Sequence, residues 1–228
     1  MTEPKDKMHF YESFADEFDS KMNMYDTNKR LDVFFNEMLK NEQIQGKQML
    51  DAGCGTGWFS MAASKAGAVV TSMDLGEKLL SQVQKKCDTK RVVGSVLDMP
   101  FKNDTFDFII SSEVIEHTPS PNTAICEMYR VLKPGGTLVL STPNKFWYWS
   151  LKVAEKFKLR PYQGLENWSG YREIRNATMN AGFEILEQKG IHLLPFIHPL
   201  IYPINNFFHA FSSSLGPVMV NIVIKARK

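Results

Sequence analysis

Cysteine is scarce in this chain: Cys54, Cys87 and Cys126 are widely separated, with no CxxC pair and no Cys/His ligand spacing. An odd, sparse set of thiols argues against a disulfide scaffold or a zinc ribbon and suits a reducing cytoplasm. Strong charge of either sign is also missing. Twenty-seven Lys and Arg against 25 Asp and Glu leave a formal net charge of +2, so nucleic acid is not the expected main partner. The first residues, MTEPKDKMHFYESFADEFDS, are charged and hold no apolar core, so no secretory leader is expected. A clean membrane-spanning run is absent too. The stretch from Gly190 to Ile224 carries no Asp, Glu, Lys or Arg, but Pro195, Pro199, Pro203 and Pro217 interrupt it and rule out a regular spanning helix. Internal repeats and low-complexity linkers are lacking.

What is present is alternation. From residue 47 onward, apolar β-rich runs alternate with helical patterns. Strands are expected at 48–52, 68–74, 91–96, 106–113 and 136–143, and helices at 57–66, 76–86, 121–132 and 169–181. Further strands are expected at 183–188 and 218–226, and a helical region at 8–39 broken near Asn23–Thr27. Strands apolar on both faces and separated by helices imply a parallel sheet covered on both sides. Lys133-Pro134-Gly135-Gly136 is expected to end one helix and turn the chain into the next strand.

The first expected strand runs into Asp51-Ala52-Gly53-Cys54-Gly55-Thr56-Gly57, and a helix follows. Glycines there permit a sharp turn and a close ligand, and ligands of open α/β sheets sit at the carboxyl ends of strands. A dinucleotide fingerprint, G-x-G-x-x-G, would need glycine where the chain has Trp58. The pattern is D-x-G-x-G-x-G instead. An acid in that place repels pyrophosphate and suits an ammonium, such as the amino-acid end of S-adenosylmethionine; ordering the loop is the other role open to Asp51. Asp74 ends the second expected strand, where a carboxylate can accept both ribose hydroxyls. Asp98 follows the third and can take the adenine amino group, with Leu75 and Met99 on the two faces of the ring. Each acid alone is an ordinary turn or cap residue; three at successive strand ends form a pattern.

With DAGCGTG, Asp74, the LDMPF segment, FDFIISSEVIEH and EMYRVLKPGGTLVLSTPN in place, the chain resembles the class I S-adenosylmethionine-dependent methyltransferases, in the subgroup of the ubiquinone and menaquinone biosynthesis enzymes. The resemblance covers about residues 47–143. It implies a Rossmann-like α/β fold: a mostly parallel seven-stranded sheet whose last strand is antiparallel, with helices on both faces. It also implies S-adenosyl-L-methionine as cofactor, held by Asp51, Gly53, Cys54, Gly55, Gly57, Asp74, Leu75, Asp98, Met99, Ser112 and Glu113. The expected organisation is a helical lid at 1–45, a cofactor-binding core at 46–143, and substrate-side helices with the last strands at 144–228.

Beyond the fourth strand, Glu113, Glu116 and His117 form an E-x-x-E-H group. A helical turn starting at Glu113 would put all three on one face. The resemblance to the quinone O-methyltransferases implies a divalent metal there; the plain alternative is a turn cap and a cleft-lining histidine. His117 is also the candidate general base, since an unperturbed imidazole titrates near neutral pH. Tyr11, Phe14, Phe18 and Tyr25 either pack as a helix stripe or form a mobile lid, and the resemblance points to Tyr11 as the lid residue.

Substrate choice falls to the segments outside these motifs. Residues 145–160 are aromatic and carry five cations and one acid, and 190–216 is uncharged and aromatic. They suit a cover helix, an apolar substrate wall, a subunit contact or peripheral contact with an anionic membrane. The expected partner is a small apolar acceptor, with oxygen favoured as the methylated atom. A methyltransferase of modified tRNA or protein, and a non-catalytic subunit of the same fold, are the alternatives. Oligomeric state is not legible.

Overall fold

The computed structural model describes residues 18–150, 152, 166–195 and 199–228; Tyr11, Phe14 and most of the 145–160 segment lie outside them, as does the side chain of Phe18. Seven strands form one sheet: β1 Gln48–Ala52, β2 Val69–Asp74, β3 Lys90–Val93, β4 Phe106–Ser112, β5 Leu132–Pro143, β6 Glu184–Ile191 and β7 Asn221–Arg227. Their order is β3-β2-β1-β4-β5-β7-β6. The first five are parallel, and β7 runs antiparallel to both β5 and β6.

Period-two side-chain alternation divides the central strands between two cores. Leu50, Ile109, Leu138, Leu140, Ile222 and Ile224 face one side, where they meet Ile125 and Met128 of helix Pro121–Val131 and Ile174 of helix Tyr171–Asn180. Met49, Phe108, Ile110, Val139 and Val223 face the other, against Val33, Phe34 and Met38 and against Phe59 and Ala63 of helix Trp58–Lys65. Each fully buried aliphatic or aromatic side chain contributes about 1.5–3 kcal/mol, so apolarity on both faces is what holds the sheet between its helices.

The N-terminal region breaks at Met22–Asn23. The Asn23 side chain accepts from the N–H groups of Tyr25 and Asp26 and starts helix Met24–Asp32, which continues as a π-helical stretch, Val33–Met38. Several boundaries differ from expectation, among them three strand boundaries with a visible cause. β3 ends at Val93 because the Gly94 N–H bonds back to the Asp74 carbonyl and Ser95–Asp98 turns. β5 starts at Leu132, directly after the helix, because Lys133–Gly136 is absorbed as an irregularity between the Phe106–Leu132 and Phe108–Thr137 pairs. β7 starts at Asn221, after a 3-10 turn at Gly216–Val218.

Candidate active site

The carboxyl tips of β1, β2 and β4, together with the turn after β3, open on a cavity of about 360 Å³, within the usual range for small-molecule sites. The glycine loop forms its floor. All three loop glycines have positive φ, but the space beside them differs. A methyl group on Gly53 would meet Val114 Cγ2 at 2.5 Å, and one on Gly57 would meet Val83 Cγ2 at 2.9 Å. Beside Gly55 there is nothing within 4 Å. Gly53 and Gly57 therefore serve close packing, and Gly55 is where the backbone lies open to a ligand.

Asp51 and Asp74, at neighbouring strand tips, have different surroundings. Asp51 is 2% exposed and does not line the cavity. It accepts from Ser60 Oγ at 2.6 Å, and the chain continues through Ser72 to Thr89. Burial, with a smaller contribution from the Asp74 charge, raises its carboxyl to about 7. Its hydrogen bonds run to helix Trp58–Lys65 and to β2 rather than into the cavity. Asp74 does line the cavity, and its carboxylate accepts from the N–H groups of Gly55 (2.8 Å) and Gly76 (3.1 Å). Burial raises its carboxyl, and those backbone donors oppose the rise. Cys54 also lines the cavity as a buried thiol whose pKa burial pushes far up, which leaves it unreactive.

Past β3 the wall is Gly94–Leu97, with Leu75 facing it from β2. Asp98 and Met99, the expected adenine clamp, are not part of it. Glu127 accepts from the Met99 N–H, and the Arg130 guanidinium donates to the carbonyls of Met99 and Phe101. These bonds pin the segment to helix Pro121–Val131, turn the Met99 side chain into the core and leave Asp98 exposed.

Ser112, Glu113 and His117 all reach the cavity wall. Glu113 has φ +57, an uncommon left-handed conformation for a glutamate. Its carboxylate accepts from Ser141 Oγ and Asn221 Nδ2, and burial raises it to about 7 against the opposing pull of Arg30. Two residues that the sequence patterns did not flag complete the site. Arg30 is a cation in the wall: its guanidinium is paired with Asp26 and donates to Ser112 Oγ at 2.6 Å. Asp19 ties the N-terminal helix to the glycine loop by accepting from Thr56 Oγ1 and Trp58 Nε1 and pairing with Lys86. Tyr25 stacks on Tyr202 with ring centroids 3.6 Å apart and does not line the cavity.

A sequence family described as a methyltransferase domain matches residues 50–140. The ubiquinone biosynthesis O-methyltransferase of Coxiella burnetii (strain Dugway 5J108-111) is 30% identical over 164 residues, spanning 67% of this chain and 70% of that protein. The chain belongs to the S-adenosylmethionine-dependent methyltransferases. The demethylmenaquinone methyltransferase of Oceanobacillus iheyensis is 28% identical to this methyltransferase over 79% of this chain and 88% of the relative. Among solved structures, a SAM-dependent methyltransferase of Thermotoga maritima, described as a possible histamine N-methyltransferase, has the same fold. Its TM-score is 0.69 at 19% identity, over 96% of this chain and 99% of that one.

The divalent-metal expectation for the methyltransferase is corrected by its own geometry. Among the described residues, no group of three or more His, Cys, Asp or Glu side chains could hold a metal ion. The turn after Glu113 is a short 3-10 segment, Ile115–His117, so the helical register that would align the three residues never forms. The Glu113 carboxylate is taken up by Ser141 and Asn221, and that of Glu116 by Thr142. No helix among the described residues is long and apolar enough to cross a membrane.

Proposed function

We propose that this methyltransferase acts on a small, apolar acceptor, methylating it at oxygen, with His117 as the base. The observation that carries the reading is His117 on the wall of a cavity that Phe59, Val114 and Pro119 also line. The names of the quinone-pathway relatives support the acceptor class.

The described residues fit S-adenosylmethionine. The open face of Gly55 admits the methionine chain, and the Arg30 guanidinium suits its carboxylate. Ser112 and Glu113 stand beside that end, the Asp74 carboxylate suits the ribose hydroxyls, and Leu75 and Leu97 suit the faces of the base. When bound, the cofactor supplies a methyl group already activated on a sulfonium. What remains for the protein is alignment of the acceptor, worth roughly 7–11 kcal/mol, and removal of its hydroxyl proton, worth about 10²–10⁴-fold. The 1–45 segment then acts as the lid of the site, with Tyr11 closing over the cofactor, and residues 144–228 supply the acceptor side.

The test is methyl transfer from S-adenosylmethionine to an isoprenoid-substituted catechol, compared with an unsubstituted catechol and with bulk tRNA. Turnover should be highest with the isoprenoid compound. His117→Ala should lower kcat about 10²–10⁴-fold and leave cofactor affinity within twofold. Equal or better turnover on tRNA would defeat the acceptor assignment.

A further inference from the structure

Helix Met24–Asp32 delivers Arg30 to the cavity wall with part of its guanidinium already committed. Nε donates to Asp26 Oδ2 at 2.9 Å, Nη2 stands 2.8 Å from the same oxygen, and Nη1 donates to Ser112 Oγ at 2.6 Å. A donor on Nη1 and a donor on Nη2 are left, and that paired end matches a carboxylate. A spacing of four, acid first, lets Asp26 and Arg30 meet on one helix face. Asp26 is held in turn. Its other oxygen, Oδ1, lies 3.2 Å from His192 Nε2, and the His192 and Asp26 side chains are 2% and 8% exposed. His192 follows β6 with φ +59, a conformation that histidine adopts more readily than most side chains. Its carbonyl accepts from the Val220 N–H at 2.8 Å. Two residues on, Asn205 Oδ1 accepts from the Leu194 N–H at 2.8 Å, and Asn205 Nδ2 donates to the Leu194 carbonyl at 3.0 Å. The imidazole thus reaches Asp26 from a backbone pinned both to the approach to β7 and to helix Tyr202–Phe208.

A buried acid and a buried guanidinium are costly unless each meets a partner. Burial raises the Asp26 carboxyl, and Arg30 and His192 outweigh it to leave the pKa lowered. An unheld arginine would lose much rotamer freedom on gripping a ligand. Glu113 and Glu116 also attract this guanidinium and offer it other directions to turn. We propose that His192 and Asp26 are positioning residues for Arg30: they hold its paired donors toward the carboxylate of S-adenosylmethionine. Affinity for the amino-acid end of the cofactor is then set in part from the loop after β6, and so is selectivity against nucleosides that lack the carboxylate. This rests on the proposed contact between Arg30 and that carboxylate. Asp26 lines the cavity and His192 does not, so His192 acts through Asp26.

The measurement is calorimetric binding of two probes: S-adenosylhomocysteine, and its decarboxylated analogue, which keeps the adenosine, the sulfur and the ammonium. Arg30→Gln should weaken S-adenosylhomocysteine about tenfold or more and the analogue by no more than about twofold. His192→Phe keeps a ring and removes the donor. It should weaken S-adenosylhomocysteine about fivefold or more and the analogue by no more than about twofold. His192→Gln, whose amide can donate to Asp26, should restore the wild-type ratio of the two affinities. Both substitutions bear the same left-handed backbone cost, so the difference between them isolates the donor from any loss of fold. An equal effect on the two probes in His192→Phe, or no rescue by His192→Gln, overturns the proposal. A wild-type ratio in Arg30→Gln overturns the carboxylate contact itself, which separates that failure from failure of the positioning. Should His192→Phe bind neither probe, Asp26→Asn decides: selective loss of S-adenosylhomocysteine supports the proposal, and a wild-type ratio refutes it.

Discussion

Asp51 and Asp74 are adjacent acids at adjacent strand tips, yet they face opposite ways. Asp51 sits in a dry chain of hydroxyls and titrates near 7. A carboxyl whose folded pKa lies above its unfolded value of about 3.9 binds its proton more tightly when folded. Its stabilising contribution is therefore complete below about pH 4 and is lost as pH rises to 7, at about 1.4 kcal/mol per unit. Asp51→Asn cannot ionise, so relative to wild type it should be more stable at pH 7.5 than at pH 4.5, by urea unfolding at both. An equal difference at the two pH values would show that Asp51 is ionised in the fold. The loop glycines separate in the same way. Gly53→Ala drives a methyl into Val114 and should cost about 1–3 kcal/mol of stability. Gly55→Ala has room, should cost about 1 kcal/mol, and should weaken S-adenosylhomocysteine binding about tenfold or more, measured by calorimetry, because the added methyl points into the space a ligand needs.

At the scale of elements, the N-terminal helices are latched to the sheet at two points. Arg30 and Asp26 close one side of the cavity, with His192 Nε2 3.2 Å from the same Asp26 carboxylate. Asp19 makes the other latch through Thr56, Trp58 and Lys86. Burial raises the Asp19 carboxyl, and bonds from Lys86, Thr56 and Trp58 outweigh it to leave the pKa lowered. Removing this latch frees the glycine loop from its cover. Asp19→Ala should therefore raise the S-adenosylhomocysteine dissociation constant roughly tenfold, the loss of one or two net hydrogen bonds, with the melting temperature of the ligand-free protein little changed. An unaltered dissociation constant would reduce the contact to simple packing.

At the scale of the whole molecule, five of the twelve exposed large apolar side chains among the described residues, Leu200, Ile204, Phe207, Phe211 and Val218, lie on one uncharged stretch. Leu200, Phe207 and Phe211 are 79%, 68% and 49% exposed, and the Phe207, Phe208 and Phe211 rings lie within 6.3 Å of one another. The turn bearing exposed Phe146 and Trp149 is tied to the end of that stretch by Trp147 Nε1 donating to the Val218 carbonyl at 2.8 Å. The chain that follows it is basic through residue 160. Exposed aromatic side chains in a chain that also carries a basic segment suit an anionic bilayer surface. The protein should co-sediment with vesicles containing phosphatidylglycerol at low salt, and a Phe207→Ser, Phe211→Ser variant should stay in the supernatant. Vesicle-independent self-association lost in the same variant would assign the surface to a second copy instead.

The cofactor motifs and the run of strands and helices were legible in the chain because they are local: an acid ahead of spaced glycines, apolar runs at strand length, helices between them. The same local rules set the two-faced burial of β1, β4 and β5. Where each acid points was not legible. The orientation of Asp51 depends on Ser60 and Ser72, and that of Met99 on Glu127 and Arg130, partners far along the chain that no periodicity announces. The E-x-x-E-H spacing suggested convergence, but a left-handed residue at Glu113 and a 3-10 turn after it keep Glu113 from forming a metal-holding group with the neighbouring Glu116 and His117. Arg30 and Asp19 carried no signature, because an isolated charge acquires a role only when the fold brings a distant partner to it. Spacing along the chain therefore specified the class of cofactor. Which acids line the cavity was settled by long-range packing, which alone sets which charges share a dry pocket.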